Sequence, residues 1–215
     1  LIGAGCVVEV EAAAVTLGEA GRAPRFSEAV EQGRIKMRDS TCPALHAALQ
    51  ASEKGVPFIP LRGLIGSDIL AHRPDWRVID NPFAAEGDPI VLIPAVQPDI
   101  ALFHATKADS EGNVWIGRRR ELATMVHASR RTLVTVEEVI EGSFYDDEAT
   151  ASGVLPSLYV DAIAEAPGGA LPCGLQDLYD PDAEAIGRYA RAARTAEGFA
   201  AYMADLGLMP AAAAE

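Results

Sequence analysis

"PDIALFHATKADSEGNVWIG", residues 98–117, decides the fold. Its first part, "IALFHA" (100–105), is a nearly unbroken apolar run. A short run of this kind reads as a strand covered on both faces, as in a parallel sheet flanked by helices. "DSEGN" in the middle is turn chemistry. Asp109 can open a turn through its side chain, and Gly112 and Asn113 tolerate left-handed backbone. "NVWIG" (113–117) then begins a second strand. His104 falls at the carboxyl end of the first strand, where open α/β sheets bind their ligands. A histidine there can equally be a structural residue with satisfied partners.

The same pattern spreads in both directions. Strands are expected over 7–15, 35–39, 90–95, 131–136 and 159–166. A helix over 24–32 has Pro24 in its first turn and Gly33 as its stop. A second, within "STCPALHAALQASEKG" (40–55), has Ser40 or Thr41 as cap, Leu45 and Leu49 at i, i+4, and Gly55 at its end. A third, "RRELATMVHASR", puts Leu122, Met125 and Val126 on one side. The alanine-rich stretch 180–207 reads as two helices, Gly187 and Gly198 weakening its continuity, and "MPAAAAE" (209–215) as a frayed end. The fold class is therefore α/β: an open, mainly parallel twisted sheet with helices on both faces, in a single domain over 1–215 with a helical tail over 181–215. "LIGAGCVVEVEAAAV" (1–15) reads as a helix tail, a glycine stop and a strand. That order predicts one or two strand–helix units ahead of it.

Composition narrows the function. The 215 residues are 49% apolar and 23% charged, with a formal net charge of −13. Such an acidic chain does not suit a nucleic-acid partner, which needs a basic face. One local arginine can still hold an anionic substrate. No apolar run approaches the length of a membrane-spanning helix. Cys6, Cys42 and Cys173 are scattered and odd in number, which predicts reduced, buried thiols in a cytoplasmic protein. His46, His72 and His127 lack metal-ligand spacing with cysteine or acidic residues, so no metal is expected.

A second stretch, "VPFIPLRGLIGSDILAHRPDWRVIDNPF" (56–83), sets Arg62 at the carboxyl end of a strand-like run. Gly63 and Gly66 permit close backbone approach, and Ser67 or Asp68 can cap a helix near Ile69. An arginine fork beside free N–H groups suits a carboxylate or phosphate; a turn with Arg62 paired to a nearby acid accounts for the same residues. "GRRRE" (117–121) is a basic spot that could meet an anionic cofactor tail or simply open a solvated helix. Glu137 and Glu138 follow the run 131–136. Carboxylates there can act as nucleophile or base, or cap the first turn of a following helix.

Four stretches together, "GVPFIPLRGLIGSD", "DWRVIDNPF", "PDIALFHATKADSEGNVWIG" and "RRTLVTVEEVIEG", resemble the A (alpha) subunit of family I CoA-transferases, most nearly the glutaconate type. The resemblance runs in order from about residue 1 to 166. Relatives include the alpha chain of a hydrolase that opens steroid-ring CoA thioesters. The resemblance implies a two-subunit enzyme whose substrates are acyl-CoA and a carboxylic acid, with coenzyme A thioester as substrate and no bound cofactor. A B (beta) subunit would supply the attacking glutamate, and this chain would supply pocket walls: Arg62, Gly63, Ser67, Asp68 and His104. In the hydrolase relatives an acidic residue precedes the arginine by about twenty positions. Here that region is "RDSTCPAL", with Thr41 near the spot and Asp39 as the nearby carboxylate, a departure that disfavours hydrolysis. Two alternatives remain: a subunit of an acyl-CoA hydrolase, or a non-catalytic structural subunit.

Overall fold

The computed structural model describes residues 1–84 and 86–208; the expectation for 209–215 lies outside the described residues. In chain order the elements are β1 (Glu9–Ala12), α1 (Pro24–Glu31), β2 (Lys36–Asp39), α2 (Cys42–Glu53), β3 (Phe58–Leu61), α3 (Ile69–His72), β4 (Arg77–Asp80) and β5 (Pro89–Pro94). Then come β6 (Ile100–Asp109), β7 (Val114–Trp115), α4 (Arg120–Ala128), β8 (Arg131–Ile140), α5 (Glu148–Ala151), β9 (Val154–Leu155), β10 (Ala162–Glu165), α6 (Ala183–Ala192) and α7 (Ala196–Asp205). The described residues form two compact units, one within 43–171 with 175–179, the other of 1–42, 172–174 and 180–208.

The larger unit holds two sheets. One runs in the order β10-β8-β6-β7-β9, with β10, β8 and β6 parallel, β7 antiparallel to β6, and β9 antiparallel to β7. The other is the antiparallel trio β3-β5-β4. The α/β class is as expected, and the long parallel ladder β6–β8 is its spine. The strands are nevertheless shared among separate sheets, because tight connections such as Asp109–Asn113 return the chain antiparallel, where a parallel pairing needs a crossover. Between β6 and β8 that crossover is α4. Its Val126 is buried, and Leu122 and Met125 pack on the cluster of Ala101, Ala105, Ala108, Val114, Val134 and Val136.

Helix α2 corrects one expectation. Its buried face is Ala44, Ala47, Ala48 and Ala51, at i, i+3, i+4 and i+7, while Leu45 and Leu49 are only half-buried. Small side chains let the helix lie close on Leu64, Trp76, Val91 and Ile93, so bulk comes from the sheet and closeness from the helix.

In the smaller unit β1 and β2 pair in parallel, beside α1, α6 and α7. Buried Arg25 donates from Nε to the Ala193 carbonyl at 2.7 Å and is ion-paired with Glu28. Asp182 and Thr195 cap α6 and α7 through their side chains. A Cβ on Gly198 would sit 2.4 Å from the Ala192 carbonyl oxygen, so the α6–α7 corner requires glycine there. The three cysteines are free and exposed rather than buried. Each lies beside a turn or at a helix start, where the chain leaves the packed interior.

Candidate active site

The sequence places His104 at the end of a strand and Glu137 after one; the structure places both inside strands, β6 running on to Asp109 and β8 to Ile140. β8 continues to Ile140 in register with β6, Lys107 facing Glu138 and Asp109 facing Ile140. A parallel ladder is held by backbone groups, so it need not stop where the apolar run stops. No helix follows at once, and the helix-start role for Glu137 and Glu138 falls away.

In this register His104 faces Thr135, and Ala105 faces Val136. Alternation of side chains along each strand puts His104, Thr135 and Glu137 on one face. His104 Nδ1 lies 2.8 Å from Thr135 Oγ1, and its Nε2 lies 2.7 Å from Glu137 Oε1. Tyr179 donates its hydroxyl to the same Oε1 at 2.6 Å, and the Gly168 N–H donates to Oε2 at 2.7 Å. The Ala170 N–H in turn donates to the Tyr179 hydroxyl at 3.2 Å. A Cβ on Gly169 would come within 2.7 Å of His104 Cε1, so glycine lets the backbone close over the ring.

The electrostatic result is a carboxylate held ionised. The Tyr179 hydroxyl contributes most; against the opposing effect of burial it is joined by the Gly168 N–H and His104, and Glu137 falls from 4.5 to about 2. Burial, with the hydrogen bond to Glu137, raises the Tyr179 hydroxyl. With Glu137 ionised, Nε2 of His104 carries the proton between them, and in the neutral ring Nδ1 accepts from Thr135. With two donors on Oε1, one on Oε2 and a pKa held well below the ordinary carboxylate value, Glu137 is a weak nucleophile. It positions His104 and anchors the 168–170 backbone.

Beside this network, Asp109 seals the β6–β7 turn. It accepts from the Glu111 and Asn113 N–H groups, from Asn113 Nδ2, and from the Phe144 N–H. Burial works against its ionised form, but these hydrogen bonds, that of the Asn113 side chain first, lower its pKa on balance. The turn chemistry expected of "DSEGN" is present, with Gly112 at φ 84°.

Arg62 follows β3 and is 67% exposed at its side chain. Its Nε and Nη2 grip Asp88 at 2.8 and 2.5 Å, and Asn81 donates to the same carboxylate at 2.7 Å. Arg62, then Asn81, hold Asp88 at about 2 despite some desolvation. Gly63, Ser67 and Asp68 belong to the same corner. Ser67 Oγ accepts from the Ile69 N–H at 3.2 Å, while Asp68 makes no such cap bond. The structure thus brings four of the expected residues together at one corner. It sets His104 in another sheet, with hydrogen-bond partners that share no residue with Arg62.

Sequence reasoning missed Tyr179, Gly168 and Gly169. The signal available was the glycine pair in "APGGA" (166–170); nothing local marks Tyr179, which reaches Glu137 across 42 positions.

The profile of the family described as Coenzyme A transferase matches residues 1–166. The A subunit of 3-oxoadipate CoA-transferase from Pseudomonas knackmussii is 31% identical over 94% of this chain and 72% of its own length. The A subunit of glutaconate CoA-transferase from Acidaminococcus fermentans is 31% identical over 83% of this chain and 60% of its own length. The crystal structure of glutaconate coenzyme A-transferase from that organism superimposes with a TM-score of 0.86 at 29% identity, covering 95% of this chain and 69% of that one. The cholesterol ring-cleaving hydrolase IpdA subunit of Mycobacterium tuberculosis is 28% identical over 82% of this chain and 63% of its own length. Across such curated relatives the chain spans from 45% to 72% of their length.

Proposed function

The chain belongs to the coenzyme A transferase family, and on that premise we propose that it serves as the A subunit of a heteromeric CoA-transferase. The enzyme would move coenzyme A from an acyl-CoA to a free carboxylic acid. A glutamate on the B subunit carries out the attack on the thioester carbonyl, and the CoA thiolate leaves a mixed anhydride. The thiolate then attacks the enzyme's own carbonyl, releasing the first acid and leaving a glutamyl-CoA thioester. A second acid reverses these steps and departs as its CoA thioester. One hard exchange becomes several easier ones.

The division of labour rests on one observation: Glu137, a strand-borne carboxylate of this chain beside an otherwise suitable histidine, is engaged by Tyr179, Gly168 and His104 and held well below its ordinary pKa. A nucleophile so committed is a poor one, which supports an attacking group on a partner chain. Arg62, Gly63, Ser67, Asp68 and His104 are then substrate-facing residues. The exposed Arg62–Asp88 pair is open to exchange, since an incoming carboxylate can take the place of Asp88 in the same fork. Among the described residues no helix is long and apolar enough to cross a membrane. The free cysteines and the CoA substrate suit the reducing cytoplasm.

The test is co-purification with the product of the adjacent reading frame, followed by assay of CoA exchange between an acyl-CoA and an added acid. Transfer is expected from the pair and from neither chain alone. Release of free CoA with no acceptor acid present would mark a hydrolase instead. Full activity of this chain alone would overturn the proposal.

A further inference from the structure

A cavity of about 320 Å³ opens in the larger unit, lined by residues that the proposed function leaves without a task. Thr106 on β6 is in its wall. That residue lies two positions beyond His104, and the flanking register pairs, Ala105 with Val136 and Lys107 with Glu138, set it opposite Glu137. Gln176 and Asp177, just before Tyr179, form another part of the wall. The cavity therefore adjoins the His104–Glu137–Tyr179 network.

Three features of the wall point to a ligand. The Thr106 hydroxyl is buried without a hydrogen-bond partner among the described residues; the Trp115 indole N–H is also without one but lies against Gly153 rather than the cavity. Buried polar atoms are nearly always paired, so the orphan hydroxyl of Thr106 in the cavity wall wants a partner that enters it. Arg118 and Arg119 line the same space, and neither has an ion-pair partner among the described residues. Arg119 makes only a 3.4 Å bond from Nε to the Ile116 carbonyl. Finally, Asp177 is the non-glycine residue held at positive φ, 68°, among the described residues. A strained backbone at a cavity rim is typical of binding sites.

Two guanidinium groups against one carboxylate leave a net positive wall, which selects an anion. Trp115 and Ile116 add apolar surface beside it, which suits a carbon chain rather than a bare inorganic ion. At this volume the cavity is at the small end for ligand sites, which run from roughly 300 Å³ upward. That is ample for a short acid and tight for a nucleotide. We propose that this cavity seats the free acid of the exchange: a short-chain carboxylate held by Arg118 and Arg119, with Thr106 as a neutral donor and its carbon chain against the Trp115 ring. This rests on the transferase reading and gives "GRRRE" a role in binding the acid.

The test is titration of the full chain with glutarate, read by tryptophan fluorescence, with Trp115→Phe to assign the signal between Trp115 and Trp76. A saturable change that disappears in Trp115→Phe is expected. Loss of a charge-assisted hydrogen bond should weaken binding about tenfold or more in Arg119→Gln. Asp177→Asn, which keeps a residue tolerant of positive φ, should tighten it severalfold by removing like charge. No saturable change, equal binding by Arg119→Gln, or displacement of glutarate by low adenosine 3′,5′-bisphosphate would overturn the assignment. Transfer by the two-subunit enzyme without glutarate binding sinks this inference and spares the transferase reading. Glutarate binding without any transfer supports the cavity's preference for carboxylates and sinks the reading.

Discussion

Arg62 follows the end of β3 and Glu137 lies inside β8, and each meets an opposite or complementary group at under 3 Å. They are built for opposite purposes. Arg62 holds one partner, Asp88, at an exposed corner, where water can replace either charge at little cost. Glu137 holds three donors from three parts of the chain, and its side chain is only 14% exposed. The first arrangement leaves its charges open to water; the second cannot be undone without freeing Tyr179, Gly168 and His104 together. The number of partners and the access of water, rather than the presence of a charge, separate a recruitable residue from a fixed one.

The sharpest way to break this comparison is to remove a fixed carboxylate. Asp109 is 2% exposed and satisfies donors from Glu111, Asn113 and Phe144. Asp109→Ala leaves several buried donors unmet and should cost about 3 kcal/mol or more, read from urea unfolding. Glu137→Ala comes next, at about 2 kcal/mol, because its donors lie nearer solvent and water can take up part of the loss.

Acid sharpens the contrast further. The pKa of Glu137 is depressed in the folded state, so the stability it contributes is complete above the ordinary value of 4.5 and is lost as pH falls toward about 2. The stability lead of the wild type over Glu137→Gln should therefore be flat above pH 4.5 and shrink below it. A lead that instead grows on acidification would show that Glu137 is not held ionised. Asp88 titrates in the same window through Arg62 and Asn81, and is common to both proteins in this comparison.

The smallest stability effect belongs to Arg62→Ala. Its urea midpoint should match the wild type, while transfer by the two-subunit enzyme falls about tenfold or more, the loss of one charge-assisted contact to substrate. A clear fall in stability with unchanged transfer would make Arg62 a structural residue and remove the distinction drawn here.

Much of this was legible beforehand. The continuous apolar runs of β5, β6 and β8, the Asp109–Asn113 turn and the Pro24 helix start depend on neighbours a few positions apart. Arg62, Gly63 and Ser67 also share a corner because they share a turn. The role of Glu137 was hidden for two reasons. Its strand outlasts its apolar residues, because the ladder is a backbone contact that polar side chains do not interrupt. Its chief partner, Tyr179, follows a stretch of glycine, proline and aspartate with no periodicity to read. Burial of the alanine stripe in α2, in place of Leu45 and Leu49, was likewise settled by what faced it: Leu64, Trp76, Val91 and Ile93 already filled the space.

The amino-acid sequence by itself determined the α/β class, the turns and the family, because these follow from local hydrogen-bonding chemistry, from the spacing of apolar residues and from motifs in order. Only the tertiary structure decided which charges are committed and which are free. Partner choice is a matter of distance across thirty or forty positions, and of how much water is left between the groups once the chain has closed on itself.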